Sequence, residues 1–154
     1  MPVFTTNRTV LFGDCDPAGV IYTPRVGHFI VEAVLEFQAW LLGGPAARSI
    51  LAMGIQPPAK ALSVVFIAPL TWDEQIELAV SCAAIGETSF TCEVLARRLD
   101  GGPVFSGTLT QVCVSPHSRR PVAIPTALCQ ALQGAGLPDP SDSMTWRSHD
   151  HAPR

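Results

Sequence analysis

Residues Phe12 to Gly19 read FGDCDPAG, which places two carboxylates, a thiol, two glycines and a proline in eight positions. Asp14 and Asp16 are the side chains there that could do chemistry. An aspartate with an ordinary pKa of ~3.9 is ionised at neutral pH. It can attack a carbonyl carbon or take a proton from water. The octapeptide stands just before an apolar stretch beginning at Pro24. A helix starting there presents unpaired N–H groups and a partial positive charge. A carbonyl bound at that spot would have donors on its oxygen and a carboxylate near its carbon. An ordinary turn competes with this, because aspartates in such turns bond their own backbone or cap a helix. On these residues alone both readings stand.

Other reactive residues form weaker patterns. The four histidines are His28, His117, His149 and His151. None belongs to an HExxH pair or to paired Cys/His spacing, so no metal site is expected. His28 either packs in a helical stripe or touches a substrate. Neither a GxSxG elbow nor a phosphate-cradling GxxxxGK occurs, which removes the usual serine hydrolase and nucleotide hydrolase. Arg119 and Arg120 form a close basic pair, as do Arg97 and Arg98. They are either solvated loop charges or a weak phosphate contact. The cysteines (Cys15, Cys82, Cys92, Cys113 and Cys129) are odd in number and lack CxxC spacing. They fit reduced thiols in a cytoplasmic protein.

The elements that must position these residues follow from periodicity and punctuation. Residues 3–11 form a first strand. Thr23 is the expected N-cap of a helix that has Pro24 in its first turn and runs to about Leu42, before Gly43-Gly44-Pro45. That helix is apolar almost all round, so most of its sides must be covered. Its charged residues Arg25, His28, Glu32 and Glu36 share one narrow stripe. A short helical piece covers 46–53. Strands are expected over 60–71, 75–85, 88–98 and 103–115, with a short hairpin loop at Ile85-Gly86-Glu87 and a hairpin turn at Asp100-Gly101-Gly102. A last helix fits 125–133. The expected division is one domain over 1–137 and a loosely ordered tail over 138–154. One long helix against a curved antiparallel sheet is an α+β arrangement.

Composition limits the function. Charged residues make up only 15% of the chain, against a typical ~25%, so part of the surface is expected to be covered by further copies of the chain. A net charge of −3 argues against a nucleic-acid partner. No run of ~18 apolar residues spans a membrane, and the first residues lack the pattern of a signal peptide.

FGDCDPAG, followed by an apolar pair, an aromatic and, two positions on, a proline, resembles the 4-hydroxybenzoyl-CoA thioesterase family of hotdog-fold proteins. The likeness runs from about Arg8 to Ala135. It includes Pro69-Leu70-Thr71-Trp72-Asp73-Glu74 before a strand, Ser89-Phe90 early in the next, and a closing Arg-Arg-Pro-Val-Ala-Ile-Pro. The resemblance implies a hotdog fold, in which a central helix is wrapped by a five-stranded antiparallel sheet. It also implies dimers or tetramers with the site at an interface, and hydrolysis of an acyl- or aryl-CoA thioester. No cofactor is implied, coenzyme A being part of the substrate. Asp16 takes the catalytic position, which leaves Cys15 without a nucleophilic role. The backbone N–H groups of Thr23 and Tyr22 polarise the carbonyl, and Gly19, His28, Arg119 and Arg120 are candidate substrate contacts. Two features depart from the family. A basic run that grips CoA phosphates in one branch of that family falls here on Gly86-Glu87-Thr88, and Thr23 stands where another branch has histidine. Two other readings of the fold remain, a non-catalytic acyl-CoA binder and a hydroxyacyl-thioester dehydratase using His28 with Glu32.

Overall fold

The computed structural model describes residues 4–135. The expected tail, with His149 and His151, lies outside the described residues. In chain order the elements are β1 (Phe4–Thr9), a 3-10 turn (Phe12–Asp14), α1 (Thr23–Leu42), α2 (Ala46–Ala52), β2 (Ala59–Phe66), β3 (Gln75–Ile85), β4 (Ser89–Arg98), β5 (Pro103–Val112) and α3 (Thr126–Gly134).

The five strands form one antiparallel sheet in the order β1-β3-β4-β5-β2. Burial alternates along β3 and β4, so Ile76, Leu78, Val80 and Cys82 share the covered face with Phe90, Cys92, Val94 and Ala96. That period of two is what a sheet with one face on the core requires. Helix α1 packs on this face and touches all five strands. Its buried residues, Val26, Phe29, Ile30, Ala33, Val34, Phe37 and Gln38, recur at spacings of three and one, the stripe of an amphipathic helix. Phe29, Phe37, Phe90 and Phe105 are fully buried, each worth roughly 2–3 kcal/mol of removed apolar surface. This is the hotdog arrangement that the resemblance implied.

Gly107 on β5 lets the helix come this close. A Cβ there would meet the Ile30 side chain and lie 2.7 Å from the Ser63 carbonyl oxygen. Only a residue without a side chain fits between α1 and the β2–β5 ladder.

Three expectations differ from the structure. The strand expected over 60–71 ends at Phe66. The N-cap of α1 is Tyr22, and Thr23 is the first helical residue. The Tyr22 N–H is bonded to the Asp14 carbonyl at 2.8 Å, and this contact sets where the chain turns into the helix. The helix is also covered on one face only within a single chain. Val31, Leu35 and Trp40 remain exposed, as do Leu62, Val65 and Phe66 on the edge strand β2. Among the described residues no single helix is long and apolar enough to cross a membrane.

Candidate active site

The octapeptide folds into a compact turn between β1 and α1, and its two aspartates have different surroundings. Asp14 is buried. Its Oδ2 accepts the Leu11 N–H at 2.9 Å, its Oδ1 lies 3.1 Å from Arg25 Nε, and Arg8 Nη2 is 4.0 Å away. The carboxylate is thus held between two guanidinium groups and a backbone donor, the compensation that a buried charge needs.

Asp16 is half-buried and opens the turn Asp16-Pro17-Ala18-Gly19. The sequence suits that turn, with Asp first, Pro second and Gly fourth. The Gly19 N–H closes it on the Asp16 carbonyl at 2.9 Å. Asp16 Oδ1 accepts the Ala18 N–H at 2.9 Å, and the Asp16 N–H donates to Val20 O at 2.9 Å. No cation pairs with the Asp16 side chain among the described residues. Its carboxylate is oriented by its own loop.

The N-terminus of α1 keeps one available donor among the described residues. Of the four N–H groups that a helix start leaves without intrahelical partners, Tyr22 donates to Asp14 O and Arg25 to Tyr22 O. Pro24 has no N–H. The remaining donor is Thr23, whose N–H has no acceptor among the described residues. Of the two expected oxyanion donors, Tyr22 is therefore committed to the fold and Thr23 is available.

The loop before β3 clamps this turn from the far side. Leu70 O accepts the Ile21 N–H at 2.8 Å, and Thr71 Oγ1 donates to Gly19 O at 2.7 Å. Gly19 has φ +80°, and a Cβ there would stand 3.3 Å from the Trp72 ring. Glu74 holds the clamp, accepting the Thr71 N–H at 2.7 Å and Arg98 Nε at 2.8 Å. Arg98 also donates to Pro69 O. Burial works to raise the Glu74 pKa, but the bonds from Arg98 and Thr71 and the Arg98 charge hold it below its ordinary value.

Cys15 is the thiol between the aspartates. Burial, and then the charges of Asp14 and Asp16, push its pKa above the ordinary 9.0, so it stays protonated at neutral pH. His28 is exposed, and Glu32, its proposed dehydratase partner, is instead bonded to Arg8. Arg119 and Arg120 are exposed at the tip of a turn in which Ser115 N–H donates to Arg120 O and Val122 N–H to Cys113 O. That turn adjoins the 86–88 loop, where Thr88 O accepts the Cys113 N–H. Among the described residues no three His, Cys, Asp or Glu side chains group as metal ligands would. Sequence reasoning missed Arg25, Thr71 and the Glu74–Arg98 pair as supports of the site. Arg25 was visible only as one charge in the helical stripe, and Glu74 and Arg98 meet across 24 positions of sequence.

A family model described as the thioesterase-like superfamily matches residues 10–132. No curated protein sequence matches the chain closely enough to count as a relative. Among solved structures, a gentisyl-coenzyme A thioesterase superposes with a TM-score of 0.74 at 24% identity, over 84% of this chain and 99% of its own. A 1,4-dihydroxy-2-naphthoyl-CoA thioesterase from Synechocystis gives 0.78 at 19% identity, over 90% and 100%. A mutant 4-hydroxybenzoyl-CoA thioesterase complexed with 4-hydroxybenzoyl-CoA gives 0.76 at 18% identity, over 84% and 98%. These likenesses show the hotdog fold, and the family match covers the octapeptide, the helix and the whole sheet from β2 onward. The chain belongs to the thioesterase-like superfamily, and its class of activity is thioester hydrolysis.

Proposed function

We propose that the protein hydrolyses an acyl- or aryl-CoA thioester at Asp16. What carries the reading is the unlike treatment of two neighbouring carboxylates. Asp14 is neutralised by arginine, whereas Asp16 has no cation and stands close in sequence to the one uncommitted N–H of the helix start. The Thr23 N–H takes the thioester oxygen and stabilises the oxyanion, a contribution of roughly 3 kcal/mol for one such donor. Asp16 either adds to the carbonyl carbon, expelling the CoA thiolate and leaving an anhydride that water opens, or removes a proton from an attacking water. The products are the free acid and CoA in both routes. No cofactor takes part. The exposed Arg119 and Arg120, at the tip of the turn whose base meets the 86–88 loop, supply the basic charge for the nucleotide phosphates that this loop lacks. Gly19 lends only its backbone to the turn, and the exposed His28, further along the helix, is the remaining candidate contact.

The working unit is a homodimer or a dimer of dimers. β2 is an edge strand with exposed apolar residues and unpaired backbone, a surface that proteins ordinarily cover. Val31 and Leu35 expose further apolar area on α1. A second copy seated there would bring its own residues toward the start of α1. Five free thiols fit work in a reducing, cytoplasmic setting.

The test is a thiol-release assay over benzoyl-CoA, 4-hydroxybenzoyl-CoA, short and medium acyl-CoAs and a hydroxyacyl-CoA. The expected result is CoA release from at least one thioester, lost in Asp16→Asn. Binding without release would mark a carrier, and water loss from the hydroxyacyl-CoA a dehydratase. In a single turnover in ¹⁸O-water, label in the enzyme and none in the acid identifies attack by Asp16 with water opening the anhydride at the Asp16 carbonyl, because the general-base route labels only the acid.

A further inference from the structure

Asp14 and Arg25 tie together the two halves of the site. Asp14 stands two residues before Asp16, and Arg25 two residues after Thr23. The side chains meet at 3.1 Å, Arg25 Nη2 reaches Gly13 O at 3.4 Å, and Asp14 O holds the Tyr22 N–H. A cation in the first turn of a helix is disfavoured by the helix dipole. Only a facing carboxylate reverses that sign, and Asp14 is 4% exposed, so it needs the cation in turn. The other guanidinium nearby, Arg8, is 4.0 Å from the same oxygen and is committed to Glu32. Arg25 is therefore the counter-ion that links the turn to the helix.

We propose that Arg25 is a positioning residue for hydrolysis. Through Asp14 it fixes the Asp16 carboxylate relative to the Thr23 N–H, without touching the reacting atoms. This rests on the hydrolytic reading of Asp16. Nucleophile and oxyanion donor must approach one carbonyl in a fixed relation, and a displacement of ~1 Å costs up to ~100-fold in rate. Loosening the clamp lowers kcat and leaves KM, set by contacts along the rest of the thioester, nearly unchanged.

The experiment compares wild type, Arg25→Met and Arg25→Lys, using benzoyl-CoA and hexanoyl-CoA as probes. Steady-state kinetics, thermal unfolding and amide NMR spectra are recorded for each. Arg25→Met should lower kcat by about 10–30-fold with KM within about 2-fold, and should move the Asp16 and Thr23 amide resonances while the fold persists. Arg25→Lys keeps a cation for Asp14 and should regain most of kcat. A kcat within about 2-fold of wild type in Arg25→Met overturns the proposal. So does a loss carried by KM, which would mark a substrate contact, or a loss that follows unfolding and is not regained in Arg25→Lys. If the wild type cleaves neither these probes nor the wider thioester panel, the hydrolytic reading fails separately, and the spectra still decide the clamp. Unmoved Asp16 and Thr23 amides in Arg25→Met then overturn it, and moved ones uphold it.

Discussion

Exchanging each aspartate of the octapeptide for asparagine should produce opposite rankings in stability and in turnover. In Asp14→Asn the amide oxygen can still accept the Leu11 N–H, but the charge facing Arg25 is gone. Breaking a fully buried ion pair costs about 3–5 kcal/mol. Arg25 is 39% exposed, however, against 5% for the Asp14 side chain, so water takes up much of its charge, and exposed pairs are worth only about 0–1 kcal/mol. The loss therefore falls between these limits, at about 2 kcal/mol. At about 3 °C per kcal/mol for a chain of this size, Tm should drop by about 6 °C. In Asp16→Asn the one side-chain bond, from Ala18 N–H, survives, and the cost stays below about 0.5 kcal/mol. Turnover should behave in the reverse way. Asp16→Asn removes the nucleophile or base and should lose about 10²–10⁴-fold in kcat. Asp14→Asn should lose no more than Arg25→Met, since both break the same pair. Thermal unfolding and thiol release on purified variants measure both axes. If Asp14→Asn lost as much turnover as Asp16→Asn while keeping its Tm, the catalytic role would sit on the wrong carboxylate.

Gly107→Ala should destabilise the fold by about 2–3 kcal/mol through overpacking, because the contact at 2.7 Å is with the Ser63 backbone and not with a side chain that can swing away; a Tm within about 2 °C of wild type would contradict the packing account. Glu74 has a folded pKa below its ordinary 4.5, so its stabilisation is present above that value and is lost as pH falls through the folded pKa. Wild type should therefore lose Tm more steeply than Glu74→Gln between about pH 6 and about pH 3, and equal slopes would exclude the effect. Val65→Lys places a charge on the exposed β2 edge, and sedimentation should show monomers with reduced thiol release, whereas an unchanged assembly would move the interface elsewhere.

The fold was legible where the signals are local. Pro24 and Gly43-Gly44 bracket α1, and the alternation Ile76, Leu78, Val80, Cys82 marks β3 within a residue. The expected strand 60–71 ends early, at Phe66, because Ile67 and Ala68 N–H both turn to Val104 O and leave the ladder. The place of β2 beside β5 was not legible, since that pairing joins segments far apart in sequence and is set by packing on α1. The expectation of a helix covered on most sides came from its composition, and composition counts faces that one chain cannot cover alone.

The site shows the same division between local and distant information. Turn chemistry in Asp16-Pro17-Ala18-Gly19 is written in adjacent residues, so the octapeptide could be singled out while its two acids stayed alike. What separates the two aspartates is not local. Asp14 turns toward Arg25 and Arg8, which come from a helix and a strand, whereas Asp16 turns back on its own loop. Two carboxylates so near one another would each disfavour the other's charge. Pairing Asp14 with arginine offsets that repulsion, and among the described residues Asp16 has no cation of its own. Cys15 stays a thiol for a separate reason, because its burial, and then its two acidic neighbours, oppose the thiolate. One ion pair thus anchors the helix start to the turn and takes up the arginine that could otherwise have faced the carboxylate proposed to react.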